Sequence, residues 1–228
     1  MSKLRWIIYG ICLCVACAIV IYTQVRQKPA CYVIDRPFVP QNDTFGGDFT
    51  LTRARRYDVS NYEAPNQRSN KPTSFSLKDI RGKFVILYFG YTYCPDVCPL
   101  GLSNISRAIV SLIRDRDQFV PIFITVDPER DTAELLFLYA TNFDPSFVML
   151  TGNSSEIEAV KHQYRVYAKK AETDSKGQPV TRDNYLIDHS TYVYILDRDG
   201  KFIKQIPHDM PPEEMKKVFV ELLVGKKS

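Results

Sequence analysis

Only three histidines and one tryptophan occur in this 228-residue chain, and only two of its six cysteines lie beyond residue 31. Two cysteines cannot staple a domain of this size, so a disulfide scaffold is excluded. No internal repeat is visible. At 45% hydrophobic and 25% charged residues the chain is neither collagen-like, low-complexity nor wholly disordered. Residues 1–28 have no acidic residue and hold Lys3, Arg5, Arg26 and Lys28, so the remainder carries as many acidic as basic side chains. The formal charge of +4 therefore belongs to the N-terminal end. A neutral domain has no electrostatic footprint for phosphate backbones, and nucleic acid is not expected as a partner.

What is present at the N-terminus is an unbroken apolar run over residues 6–22, Trp-Ile-Ile-Tyr-Gly-Ile-Cys-Leu-Cys-Val-Ala-Cys-Ala-Ile-Val-Ile-Tyr. It stands at the short end of the roughly 17–25 residues that span a bilayer. Basic residues flank both ends, and Trp6, Tyr9 and Tyr22 suit the two interfaces. A cleaved signal peptide would use Ala16-Cys17-Ala18, but the apolar run continues through Ile19-Val20-Ile21, where a polar mature start is expected. A lipoprotein would use Cys17, yet Cys14 stands where an apolar residue is usual. The expected organisation is a cytoplasmic segment over 1–5, an uncleaved transmembrane anchor over 6–23, a linker over 24–44 and a globular domain over 45–228. Five residues leave no room for an Arg-rich mitochondrial presequence, so a bacterial chain is expected. Cys12, Cys14 and Cys17 read as apolar fillers of the span, and Cys31 as an incidental free thiol.

Strands are expected over 48–52 and 75–77, with 53–72 a polar loop or insertion between them. Residues 83–89, Lys-Phe-Val-Ile-Leu-Tyr-Phe, make a continuous apolar run of strand length, as a strand buried on both faces requires. Val97, Leu102, Ile105, Ile109, Leu112 and Ile113 recur at helical spacing and predict a helix over 95–114. A buried strand over 119–126 precedes Asp131-Thr-Ala-Glu134, a capping-box pattern opening a helix that runs to residue 142. A strand over 147–150 follows, then a helix opened by Asn153-Ser-Ser-Glu156 and ending near residue 169, then a polar loop over 171–184. Residues 191–196 and 201–206 pair as a hairpin across Asp199-Gly200, and a last helix covers 211–224. Alternating strands and helices argue an α/β domain with a central mixed sheet and helices on both faces. The late hairpin and terminal helix follow the thioredoxin-like order, with extra N-terminal strands.

The chemistry concentrates in Gly90-Tyr91-Thr92-Tyr93-Cys94-Pro95-Asp96-Val97-Cys98-Pro99, where a buried strand gives way to a helix. Open α/β sheets place their ligands at that edge. Cys94 stands near the helix start, where unpaired amides and the positive dipole end lower thiol pKa values. Three residues separate Cys94 and Cys98, a spacing that puts them at i and i+4 on one face of a helical turn, with Cα atoms about 6 Å apart. Such a pair can store electrons as a disulfide or clamp a metal. Prolines at 95 and 99 are unusual in an ordinary core helix, and the three-residue gap departs from the two-residue gap of thioredoxins.

Two thiolates leave a metal short of ligands. His162 reads as a mid-helix surface or packing residue. His208, in a polar loop after a strand, offers at most a weak surface site with Met210. His189, just ahead of the apolar stretch Tyr192-Val-Tyr-Ile-Leu196, is either a hydrogen-bonded loop residue or a third ligand. Two soft thiolates and one imidazole suit Cu(I), which accepts low coordination numbers, whereas zinc asks for a fourth ligand. Asp197-Arg-Asp-Gly200 begins like a calcium loop but lacks the later glutamate, and reads as a hairpin turn.

Three stretches in order resemble the Sco/SenC family over residues 45–223: Phe89-Gly90-Tyr91-Thr92-Tyr93-Cys94-Pro95-Asp96-Val97-Cys98-Pro99, Thr125-Val126-Asp127-Pro128-Glu129-Arg130-Asp131-Thr132, and Asp188-His189-Ser190 before an apolar strand. The resemblance implies a membrane-anchored, thioredoxin-like metallochaperone, not a turnover enzyme, that binds one copper ion (Cu(I) or Cu(II)) through Cys94, Cys98 and His189. It further implies assembly of the CuA centre of cytochrome c oxidase subunit II. A copper donor and a thiol reductant would be further partners, and the soluble domain would face the periplasm from the bacterial inner membrane. Cys94 and Cys98 would form a redox-active pair able to close a disulfide. The alternative reading is a thiol–disulfide oxidoreductase that uses this pair to keep client cysteines reduced; a peroxidase variant of the same fold comes third. Asp127 and Asp131 are expected to be structural, Asp131 by capping its helix and Asp127 ahead of a loop-forming proline. Residues 53–72 exceed a tight turn, so the surface around them is expected to be lineage-specific.

Overall fold

The computed structural model describes residues 45–54, 73–173, 177–181 and 184–225. The expected anchor, the linker and residues 55–72 lie outside the described residues. Among those described, no helix is long and apolar enough to cross a membrane.

β1 (Thr50–Arg53) and β2 (Thr73–Ser76) pair antiparallel, with buried Leu51 opposite buried Phe75. Leu77, expected to close the second strand, instead opens a 3-10 turn over Leu77–Ile80. Ser76 ends the strand by capping that turn: its hydroxyl accepts from the Lys78 amide, while Asp79 accepts from the Ser76 amide. β3 (Phe84–Gly90) is buried at every position. β4 (Phe119–Thr125) runs parallel to it, Phe84 opposite Phe119 and Gly90 opposite Thr125, and β5 (Val148–Thr151) runs parallel to β4. β6 (Ala168–Lys170) and β7 (Ile187–His189) form a separate two-stranded antiparallel sheet. β8 (Tyr192–Leu196) lies antiparallel to β3, and β9 (Phe202–Pro207) antiparallel to β8.

The large sheet has the order β2-β1-β5-β4-β3-β8-β9. Parallel strands occupy its centre and antiparallel ones its flanks, which is the expected mixed sheet. The β8–β9 turn is also as expected. Gly200 takes φ +73°, and Asp197 accepts the amides of Asp199 and Lys201 at 2.9 and 2.8 Å, so this carboxylate is used by its own backbone.

α1 (Val97–Val110), α2 (Ala133–Ala140), α3 (Ser154–Gln163) and α4 (Pro212–Val224) complete the described helices. α1 buries Leu102, Ile105 and Ile109 and packs on α4, whose Phe219 ring lies 5.1 Å from that of Phe119. Each such aliphatic side chain contributes roughly 1.5–3 kcal/mol on burial.

Several helix boundaries depart from the sequence expectation for local reasons. α1 starts at Val97, not 95, because the Cys94 amide is already bonded to the Tyr91 carbonyl in a preceding turn and Pro95 has no amide. The helix ends at Val110, and the chain then passes through Ile113 at φ +51°. α2 is capped by Thr132, whose hydroxyl accepts from the Leu135 amide, so the expected Asp131 cap is one residue early. α3 opens on the expected Asn153–Glu156 capping box but stops at Gln163 instead of near 169. Arg165 takes φ +50°, the buried Tyr164 donates its hydroxyl to the Gly47 carbonyl, and residues 168–170 leave as β6 to pair with β7. Residues 187–189, expected as loop, are accordingly a strand.

Candidate metal centre

β3 delivers the chain to the site. Its last residue, Gly90, extends the pairing with the next strand by accepting the Val126 amide at 2.8 Å. A Cβ on Gly90 would lie 2.5 Å from Cys98 Sγ and 2.9 Å from the Phe123 ring, so only glycine leaves room for the thiol above the sheet. The chain then turns through Tyr91–Cys94 and enters α1, whose second residue is Cys98. The two cysteines therefore do not share a helical turn, as their spacing had suggested. Cys94 precedes the helix and Cys98 lies inside it, and both are buried free thiols.

Asp131 holds this turn from the far side. Its carboxylate accepts the Thr92 amide at 3.0 Å, the Thr92 hydroxyl at 2.5 Å and the Thr125 hydroxyl at 2.6 Å. Burial pushes Asp131 up from the usual carboxylate range, against the pull of those three donors. The residue expected to cap α2 thus ties the cysteine loop to the end of β4.

His189 arrives from β7. Its Nε2 lies 3.4 Å from Cys98 Sγ, and its Nδ1 lies 2.9 Å from the Ser190 carbonyl. A carbonyl only accepts, so Nδ1 carries the proton in that bond, and Nε2 is the ring nitrogen left to face the sulfurs. The Tyr91 ring meets the imidazole edge-on at 5.6 Å. The ligand atoms of Cys94, Cys98 and His189 all lie within 4.8 Å of one another. Ligand distances of about 2.0–2.3 Å make that set reachable by one ion with little contraction. These three residues can hold a metal.

The two thiols are unlike. A hydrogen bond from Cys98 is the largest influence on Cys94 and helps to bring it down to about 4; burial opposes this, while His189 and the amides of Cys98 and Asp96 assist. Burial pushes the Cys98 thiol up, reinforced by its bond to Cys94. Cys94 is thus the thiolate and Cys98 the proton holder. Tyr88, under Cys98, is raised by burial and by both cysteines, which keeps it a neutral phenol.

The other histidines stay apart from the set. His162 is exposed on α3, as expected. His208 is not the surface residue expected beside Met210. It is buried after β9, its amide donating to the Thr191 carbonyl and its carbonyl accepting from Asn104, and burial pushes its imidazole down. Gly101 of α1 allows that approach, with 3.3 Å between its ideal Cβ and the Cβ of His208. Sequence reasoning passed over Gly90 and Tyr185 as individual residues. Gly90 had a usable signal, being a glycine at the end of an otherwise bulky buried strand.

A family model described as SCO1/SenC matches residues 40–223. A SCO2-like protein of Rickettsia prowazekii is 37% identical over 145 residues, covering 64% of this chain and 68% of that one. Among solved structures, copper-bound ScoI of Bradyrhizobium japonicum aligns with a TM-score of 0.63 at 35% identity, over 78% of this chain and 99% of that one. Yeast Sco1 with copper bound aligns with a TM-score of 0.63 at 30% identity, over 80% and 90% of the two chains.

Proposed function

The chain belongs to the SCO1/SenC family, and from that premise we propose that it carries one copper ion on Cys94, Cys98 and His189 and serves assembly of the CuA centre in cytochrome c oxidase subunit II. The observation that carries this reading is the convergence of two cysteines and one histidine within 4.8 Å. Two sulfurs and one imidazole nitrogen are soft donors, and three ligands satisfy Cu(I) while leaving zinc one short. The ion is cargo: Cys94, already a thiolate at neutral pH, takes it without losing a proton, whereas Cys98 must give one up. A thiol reductant is needed to keep the pair able to bind, and a copper donor to load it.

On this reading residues 6–23 anchor the chain in the bacterial inner membrane and the globular domain faces the periplasm, where the client's copper domain would be met. A phosphatase fused to the C-terminus is active in cells if so; silence from a stably expressed fusion overturns the orientation. The function itself is tested by deleting the gene and measuring oxidase activity with and without added copper. Rescue by copper supports delivery, and full activity without the gene refutes it.

The asymmetry of the thiols favours a second reading, thiol–disulfide exchange. Cys94 as thiolate attacks a client disulfide to form a mixed disulfide. Cys98, after losing its proton, attacks Cys94 and releases the client dithiol, so two electrons pass and the Cys94–Cys98 disulfide forms. His189 is not needed for that chemistry. Reductase activity that survives His189→Ala, in a protein with no tight copper, selects this reading over the first.

A further inference from the structure

His189 reaches the thiols from β7, which is not part of the seven-stranded sheet. The three-residue pairing with β6 stays within the same small sheet and does not fix it against the cysteine loop. Apart from the burial of Tyr185 and Ile187 in the core, that tie runs through Arg130. Its Nε donates to Asp127 Oδ2 at 2.5 Å, and its Nη1 donates to the Tyr185 carbonyl at 3.0 Å. The guanidinium carbon lies 3.5 Å from the centroid of the Tyr185 ring, and the Tyr185 hydroxyl donates to Asp127 Oδ1 at 2.6 Å. The side chains of Arg130 and Asp127 are 9% and 1% exposed, so the pair is shielded from solvent. The same guanidinium faces Tyr93 at 4.6 Å and Tyr91 at 5.8 Å, on the chain leading into Cys94. Tyr91 completes the circuit by accepting the Ile187 amide at 3.0 Å.

We propose that Arg130 is a positioning residue for the third metal ligand: it clamps the arm over residues 185–189 to the cysteine loop and so sets His189 Nε2 against Cys98 Sγ. This rests on the reading of Cys94, Cys98 and His189 as the metal ligands. The planar fork is what the position requires, because one guanidinium meets a carboxylate, a carbonyl and three aromatic rings at once. A lysine keeps the charge but is a single point donor with no plane to stack.

The test uses the full-length chain in detergent micelles, as wild type, Arg130→Lys, Tyr185→Phe and His189→Ala. Tyr185→Phe keeps the ring and the carbonyl and removes only the bond to Asp127, which guards against a lysine variant that fails to fold. Amide hydrogen exchange is read in the metal-free protein, and Cu(I) affinity by competition with a chromophoric chelator, with X-ray absorption reporting nitrogen scatterers. In Arg130→Lys the Ile187 amide is expected to exchange about tenfold faster with the β3 amides unchanged. Cu(I) should bind about 10- to 100-fold more weakly, with a diminished nitrogen signal, as for loss of an outer-shell partner. Tyr185→Phe should move in the same direction by less. Wild-type exchange and affinity in both variants overturn the proposal, and so does acceleration spread equally over β3 and the arm. If His189→Ala leaves Cu(I) affinity unchanged, the ligand reading fails instead, and the exchange data still decide whether Arg130 holds the arm.

Discussion

Cys98 and His189 meet at 3.4 Å but arrive on different scaffolds. Cys98 stands on the first turn of a 14-residue helix, over a strand buried at all seven positions. His189 ends a three-residue strand paired to another three-residue strand and tied back by side chains. One side rests on a long helix and a central strand, the other on two buried side chains, Tyr185 and Ile187, and a few polar bonds. Opening of the His189 arm therefore costs less than opening of the cysteine loop, since local stability follows buried contacts. A metal site built so can keep its sulfur ligands fixed while its nitrogen ligand is the part that yields.

The sharpest way to break this contrast is to remove ligands from each side in turn. Cys94→Ala or Cys98→Ala should abolish tight copper binding, measured as stoichiometry after dialysis, and should also prevent the intramolecular disulfide. His189→Ala should leave a two-thiolate site that still takes Cu(I), weaker by about 100-fold, or roughly 2.8 kcal/mol. Equal losses on the two sides would mean that the arm is as firmly built as the loop. Next in size, Gly90→Ala drives a methyl into Cys98 Sγ. A destabilisation of about 1–3 kcal/mol in denaturant titration is expected, as for other overpacked cores.

A smaller effect separates the thiols by pH. With Cys94 down at about 4, iodoacetamide should label one cysteine at pH 5 in the metal-free protein, with the rate falling as the pH drops through about 4. A folded pKa below the ordinary thiol value of 9.0 adds stability that is full above that value and declines as pH falls from about 9 to about 4. The melting-temperature advantage of wild type over Cys94→Ser should shrink across that interval. His162→Ala, on an exposed helix face, should change nothing. His208→Ala is no such control, because the residue is buried against α1.

The same contrast explains what could be read in advance. The run from residue 83 to 89 and the helical spacing from Val97 to Ile109 are long periodic signals, so the strand, the helix and the cysteines at their junction were legible. β6 and β7, as Ala-Lys-Lys and Ile-Asp-His, are too short for alternation to register. They read as the tail of a helix and as loop. Asp131 was misplaced because Asp131 and Thr132 are both good capping residues ahead of the same helix. The choice between them was made by Thr92 and Thr125, contacts that no local pattern contains. His208 has polar neighbours in sequence and a buried site in space, decided by Gly101 on α1.

The distance along the chain between the two meeting ligands has a thermodynamic consequence. Cys98 and His189 are 91 residues apart along the chain, so an ion held by both would close a loop of that size in any unfolded state that retained it. Chain-entropy arithmetic for a cross-link of that span gives about 4–5 kcal/mol. Copper bound there would act as a removable staple, and the loaded protein would be distinctly harder to unfold than the metal-free one. Loss of the ion would return the chain to its looser state, which a melting curve with and without bound copper would read directly.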